Sequence, residues 1–219
     1  MNFEESSITV KIGLSKGEID WGIVGDEKLA FYFKGDAIDN SSTNQLVANA
    51  GEIVADLSFS DIFHYHHIPF FIDHKLCKLD RFSFETNLPV AQNEKSQPIR
   101  LDILEHFYTK EIIEMSNNGE FRSIVSVFIS FENLDTYSEI NQFVSVILHE
   151  VQNFSGYFKE IDFGDKGGVI TVFFGIPITF ENNTERALSF VGALNEHFAS
   201  SNIKFRTAIT EGVAFAGII

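Results

Sequence analysis

From residue 121 onward, apolar and polar positions fall into blocks with two different periods. The run FRSIVSVFISF (121–131) is dense in β-branched and aromatic residues and predicts a strand, which NLDTYSE breaks. Over 137–155 the spacing changes. Ile140, Phe143, Val144, Ile147, Val151 and Phe154 recur at three and four residues, the stripe of an amphipathic helix. GYFKEIDF (156–163) and GGVITVFFG (167–175) predict two strands around the short GDKGG turn. In ENNTERALSFVGALNEHFAS, Asn182 or Asn183 can cap a helix whose apolar face is Ala187, Leu188, Val191, Leu194 and Phe198. IKFRTAI then returns as a strand. The order β-α-β-β-α-β predicts an α+β fold of the split βαβ, ferredoxin-like kind, a sheet with its helices on one face.

The first sixty residues share part of that pattern. ITVKIGLSKGEIDWGIVG (8–25) alternates, passes Ser15 and Gly17, and re-enters an apolar run. IKFRTAITEGVAFAGII (203–219) overlays it at an offset of 195, with Ile209 on Leu14, Gly212 on Gly17 and Gly217 on Gly22. Each copy is expected to form strand, tight turn and strand, the Gly supplying a positive φ. Further strands are predicted within GDEKLAFYFKGDAI and near IVADLSF, on either side of the polar DNSSTNQLVANAGE. Such a unit at both ends predicts one repeat period cut out of phase, starting midway through one domain and stopping midway through the next. Residues 61–119 read as a spacer, with aromatic-rich DIFHYHHIPFFIDH, loop-like NLPVAQNEKSQPIR and a helix over Leu101–Met115.

Composition narrows the function classes. The chain is 44% hydrophobic with 24 Phe, ample for a packed core. Its formal net charge of −15 argues against a nucleic-acid binder, which needs a basic face, and against docking on an anionic membrane surface. The single Cys77 cannot form an internal disulfide, which points to a reducing compartment. Residues 1–20 carry Glu4, Glu5 and Lys11 without a long apolar block, and no apolar run approaches the roughly 20 residues of a membrane span. An acidic, soluble, cytoplasmic protein is expected. In such a chain the acceptor-like triplets NSS, NFS and NNT read as accidental.

Seven stretches carry a resemblance. VKIGLSKGEIDWGIVGDE, FYFKGDAIDN and GEIVADLSF come first, then RSIVSVFISFENL, DFGDKGGVITVFFGIP, ERALSFVGALNEHF and FRTAITEGVAFAGII. In order and spacing they resemble the class III nucleotide cyclase homology domain, and within it the soluble, bicarbonate-responsive adenylate cyclase with tandem domains. The resemblance implies that 1–60 is the C-terminal half of a first cyclase homology domain, 61–119 an inter-domain linker, and 120–219 the N-terminal half of a second. It implies a fragment of an adenylate cyclase that converts ATP to cyclic AMP and pyrophosphate in intracellular signalling. The isolated chain is expected to be inactive, with complementary cyclase half-domains as partners. That chemistry needs two divalent ions, Mg2+ or Mn2+, held by two carboxylates, and an Arg and an Asn from the facing domain.

Carried over residue by residue, the resemblance places the first carboxylate at Ser130, whose hydroxyl is a far weaker ligand. Glu132 lies two residues on, on the same strand face, and offers a substitute. The second carboxylate is Asp165 in GDKG, the metal candidate, although Asp at that place is also what a hairpin turn wants. Lys159 is the candidate for the purine-recognising lysine. Glu160 occupies a competing register, and an exposed strand Lys is the plainer alternative. The loop ENLDTY lacks Gly and is acidic where a phosphate would approach. The facing-domain Asn and Arg fall on Asp39 and Thr43, and no Lys or Arg occurs between Asp36 and Asp73, so a triphosphate would be repelled there. No catalytic residue is assigned, and the face shared by the two halves is expected to be the degenerate, regulatory one. Bicarbonate sensing is not expected, because the Arg region of that pocket has no cation. The alternative function is a non-catalytic cyclase-like regulatory or interaction module. The two halves are also candidates to pair as one permuted pseudo-domain sharing a sheet. The cluster HYHH with Asp73 and His74 reads as packing residues, with zinc as the alternative if His64 and His66 share a strand face. Cys77 reads as a buried, inert thiol.

Overall fold

The structure, a computed structural model, describes residues 9–79, 98–114, 119–164 and 167–217. In chain order the elements begin with β1 (Ile12–Leu14), β2 (Asp20–Gly25), β3 (Leu29–Lys34), α1 (Asp36–Val47) and β4 (Ile53–Asp56). A short 3-10 turn leads into α2 (Ser60–Tyr65), β5 (Phe71–Asp73) and β6 (Leu76–Leu79). Then come α3 (Leu101–Phe107), α4 (Lys110–Ile113), β7 (Glu120–Phe131), α5 (Tyr137–Asn153) and β8 (Tyr157–Gly164). The chain ends in β9 (Gly167–Phe174), α6 (Asn183–Phe198) and β10 (Phe205–Ala216). These elements divide into two compact units, Met1–Asp20 with Lys34–Lys95 and Trp21–Phe33 with Ser96–Ile219, a division that crosses the segment boundaries read from the sequence.

The second unit carries the expected βαββαβ order. Its sheet runs β10-β7-β9-β8, antiparallel throughout, so the four strands take the order 4-1-3-2 of the ferredoxin-like arrangement. Alternation explains the layers. Val125, Val127, Ile129 and Phe131 of β7 and Ile170, Val172 and Phe174 of β9 are buried together with Ile140, Phe143 and Ile147 of α5 and Phe190 and Leu194 of α6. Phe143 packs against Phe131 and Phe198 at ring separations of 5.0 and 5.1 Å. A capping box starts α5: Glu139 N–H donates to Thr136 Oγ1 at 3.3 Å, and Thr136 N–H donates to the Glu139 carboxylate at 2.9 Å. The β2–β3 hairpin adds Val24, Ala30 and Tyr32 to the same core.

The permuted shared sheet is not formed among the described residues. β2 and β3 pair as a separate two-stranded sheet, while β1 and β4 belong to the first unit. The two glycine motifs also differ in shape. After β1 the chain is irregular through Gly17 until β2, whereas β10 runs unbroken through Gly212, because each residue from Phe205 to Ala216 has a ladder partner on β7. Neither Gly17 nor Gly212 has a positive φ. Gly17 serves close approach instead: a Cβ there would lie 3.1 Å from the Ala37 nitrogen.

In the first unit the sheet runs β1-β4-β6-β5, with β1 and β4 parallel and the other pairs antiparallel. α1 packs on β1 and β4. A Cβ at Gly13 would fall 2.1 Å from the Ser41 carbonyl oxygen, so only glycine admits the helix backbone there. Ala55, Phe63, Cys77 and Leu79 form the small core. The stretch read as spacer thus supplies two strands to this sheet. DIFHY folds as α2 rather than a strand, so the shared strand face for His64 and His66 does not exist. The helix expected over Leu101–Met115 is broken at Tyr108–Thr109 into α3 and α4. Among the described residues no helix is long and apolar enough to cross a membrane.

Candidate functional site

Because Val127, Ile129 and Phe131 turn toward the helices, Ser126, Phe128 and Ser130 of β7 face the other side of the sheet. Ser130 lies opposite Arg206 of β10 and Val169 of β9. Just past the end of β7, the Arg206 guanidinium donates to the Glu132 carboxylate at 3.2 Å. Both side chains are exposed (78% and 56%), so the pair is screened and contributes at most about 1 kcal/mol. A cleft of about 630 Å³ gathers Ser130, Glu132, Asn133, Asn195, Lys204 and Arg206.

The start of β9 is pressed against this cleft. Gly168 lies opposite Phe131, and a Cβ on Gly167 (φ 92°) would sit 2.4 Å from the Phe131 carbonyl oxygen and 3.2 Å from Glu132 Cγ. Asp165, the metal candidate, lies outside the described residues. On the opposite flank, Asn133 takes a left-handed φ of 60° and Leu134 is buried. The capping box already occupies the N–H groups of Thr136 and Glu139 with this chain's own side chains. The Glu139 carboxylate at this helix start adds a negative charge that disfavours an anion there. The described donors, one hydroxyl and one carboxylate tied to a guanidinium, do not make a two-ion cradle. No group of three or more His, Cys, Asp and Glu side chains converges among the described residues.

Lys159 sits elsewhere on the sheet. Phe158 pairs with Val172 and Glu160 with Thr171, leaving Lys159 as the extra residue of a β-bulge. Its ammonium bonds the Glu160 carboxylate at 2.9 Å. Thr171 also pairs with Phe128, so Glu160 lies two strands across and two residues along from Ser130, about 10 Å and about 7 Å. Lys159 borders two cavities. One, of about 290 Å³, is mostly apolar and includes Ile112, Ile124, Tyr157, Phe173 and Phe215. The other is a groove of about 260 Å³ with Phe31, Phe33, Phe107 and Tyr108 on its walls. Tyr157 lines both, and burial, with Tyr108 and Glu160 nearby, pushes its phenol up from the ordinary value.

In the first unit, the Thr43 hydroxyl donates to the Asp39 carbonyl oxygen at 2.9 Å, a bond local to α1. The polar centre is instead Asn44, which is buried and donates to the Leu14 carbonyl oxygen and to the Asp56 carboxylate, both at 2.8 Å. The Ser15 hydroxyl donates to the same carboxylate. This network braces β1, α1 and β4. His64 stands edge-on to Phe70, while Asp73 bonds Lys78 at 2.7 Å and His74 at 2.5 Å, partners that hold it below the usual carboxylate range. The histidine stretch therefore packs and pairs. Burial, and secondarily the Asp56 charge, pushes the Cys77 thiol up, consistent with an inert thiol.

Arg206 and Asn44 were not singled out in the sequence. Arg206 had one usable signal: in a βαββαβ sheet the first and last strands are neighbours, so some residue of IKFRTAI must lie across from Ser130. Asn44 had none, since Leu14 and Asp56 lie far from it along the chain.

No family model matches this sequence, and no curated protein matches it. Solved structures that follow part of the same chain course include the catalytic core of a rhodopsin-guanylyl cyclase with converted specificity in complex with ATPalphaS (TM-score 0.42, 14% identity, 48% of this chain and 64% of that one). A second is the non-canonical dimeric guanylyl cyclase domain of the RhoGC fusion protein from the aquatic fungus Blastocladiella emersonii (TM-score 0.41, 16% identity, 48% and 65%). A third is the adenylyl cyclase CyaB from P. aeruginosa (TM-score 0.35, 13% identity, 46% and 61%). These neighbours are nucleotide cyclase domains. This chain spans less than two thirds of the length of each, and at such identities and scores the likeness carries no chemistry. The α+β assignment rests on the strand order itself.

Proposed function

We propose that this chain is part of an adenylate cyclase of the class III kind, whose parent converts ATP to cyclic AMP and pyrophosphate, and that the 219 residues alone do not turn over. The observation that carries the reading is the 4-1-3-2 sheet with a hydroxyl, Ser130, at the end of its first strand, where the resemblance puts a metal-binding carboxylate. When bound, Mg2+ or Mn2+ would offset triphosphate charge and activate the ribose hydroxyl. Asp165 would hold an ion and Lys159 would meet the purine. The described residues lack the carboxylate pair, so no step of the reaction is assigned to this chain. Complementary half-domains supply the rest. The choice of ATP over GTP comes from the resemblance alone.

A second reading, a non-catalytic cyclase-like module, is favoured by the Glu132–Arg206 pair, which neutralises the carboxylate that lines the cleft with Ser130 among the described residues. The purified chain, given ATP with Mg2+ or Mn2+, is expected to form no cyclic AMP. Metal-dependent product would overturn that. In the longer natural protein carrying this segment, cyclic AMP formation is expected, with Lys159→Ala raising KM for ATP. No product with either metal would favour the module, and an unchanged KM would remove Lys159 from the site.

A further inference from the structure

We infer that residues 99–114, carrying α3 and α4, form a strap that opens and closes over the cavities beside Lys159. The strap reaches into both of them. Ile112 lines the apolar pocket, Phe107 and Tyr108 wall the groove, and Tyr157, only 9% exposed, lies between the two.

Among the described residues, the polar hold on the strap is concentrated in one place. The Lys28 ammonium donates to the carbonyl oxygens of Glu105 at 2.6 Å and Tyr108 at 3.3 Å, a cation closing the C-terminal carbonyls of α3. The Phe107 ring meets Phe31 at 6.2 Å, and His106 Nδ1 lies 3.4 Å from the Glu27 carbonyl oxygen. All these partners sit on the β2–β3 hairpin, within the same unit.

The strap is weak by itself. Its helices have seven and four residues, far short of the roughly 12–15 that even a good helix-forming sequence needs in isolation. Neither has a side-chain N-cap bond. At the break between them, the Thr109 hydroxyl is buried with no hydrogen-bond partner among the described residues, which penalises the closed position. Ile99, Leu101 and Ile103 remain exposed, so the strap buries only part of its apolar surface. A segment with few anchors and an unsatisfied buried hydroxyl belongs to the low-cost end of local opening. The inference concerns the cavities themselves and holds whether or not Lys159 meets a nucleotide.

The test is tyrosine nitration by tetranitromethane on the intact 219-residue protein, mapped by peptide mass spectrometry. Tyr157 reports the strap, and Tyr32, 4% exposed in the core of the same unit, reports global unfolding. Lys28→Ala is expected to raise Tyr157 nitration about tenfold, as loss of a charge-assisted hold implies, with Tyr32 unchanged. Phe107→Ala, which keeps Lys28, should act in the same direction. Unchanged Tyr157 nitration in both variants, or a parallel rise at Tyr32, overturns the strap. Titration of the same proteins with a fluorescent ATP analogue reads the other proposal separately: absence of binding throughout counts against a nucleotide at Lys159, while the nitration ratio alone decides the strap.

Discussion

Replacing Asn44 by Ala tests whether the first unit depends on the one buried polar side chain among its described residues. Asn44 is 3% exposed, and its amide nitrogen donates to the Leu14 carbonyl oxygen and to the Asp56 carboxylate, both at 2.8 Å. The variant loses a bond to a neutral acceptor, about 1 kcal/mol, and one to a charged acceptor, about 2 kcal/mol. Asp56 keeps its bond from Ser15, which limits the loss. A cost of about 3 kcal/mol is expected for opening β1, α1 and β4. Against a core of Ala55, Phe63, Cys77 and Leu79, that is a large fraction of the total.

The unit contains its own reporter. Cys77 is the only cysteine, fully buried on β6 between β4 and β5, so a bulky aromatic disulfide reagent reaches it only when the sheet opens. If opening is in rapid equilibrium, about 3 kcal/mol raises the rate of thiol reaction by about two orders of magnitude. Asn40→Ala, at an exposed position of the same helix, should leave the rate near the wild-type value. A rate for Asn44→Ala within threefold of wild type would refute the reasoning, since the two bonds would then be doing little to join the helix to its strands.

Glu132→Gln removes the carboxylate that engages Arg206. Thermal stability should change by less than about 1 kcal/mol, and inorganic pyrophosphate should bind the cleft of Lys204 and Arg206 severalfold more tightly by calorimetry. Unchanged binding would mean that the pair does not gate anion access. The raised Tyr157 phenol gives a pH prediction with a definite sign. The folded protein retains the phenol proton to higher pH than the unfolded chain, so its contribution is intact below about pH 10 and is lost as pH rises beyond that. The urea midpoint should therefore fall between about pH 9.5 and 11, and Tyr157→Phe should flatten part of that fall.

The second unit was legible because its periods are long and mutually consistent. Val125, Val127, Ile129 and Phe131 alternate over a whole strand, and Ile140, Phe143, Val144 and Ile147 keep a helical stripe, so pattern and packing agree. The first unit hides its strands. FID and LCKL are three and four residues long, too short to show alternation, and they become strands only through pairing with β4 and with each other. DIFHYHH misleads because its aromatic run favours a strand in isolation, while Phe63 gains burial against Cys77 and Leu79 from a helical turn. Gly212 misleads in the opposite way. Glycine suggests a turn, but the twelve-residue ladder with β7 carries the backbone straight through it. At the candidate site, the hydroxyl at Ser130 was readable from the resemblance. The partner that defines the cleft, Arg206, was not, since Glu132 and Arg206 meet only once β7 and β10 lie side by side.

That pairing determines what the cleft can accept. Lys204 and Arg206 bring two positive charges and Glu132 removes one, leaving a single net cation on an exposed surface. The chain as a whole has a net charge of −15. At physiological salt, screening acts over about 8 Å, so the charges that line the cleft outweigh more distant ones. A triphosphate brings several negative charges into this setting, more than that single net cation offsets without bound metal ions. With them, it needs carboxylates placed for metal rather than for Arg206. Ser130 cannot supply one, and Glu132 can do so only by releasing the guanidinium, which would then be free to face phosphate. Among the described residues, chemistry on a nucleotide at this cleft therefore requires the Glu132–Arg206 bond to break, with the second carboxylate coming from outside them, where Asp165 is the candidate.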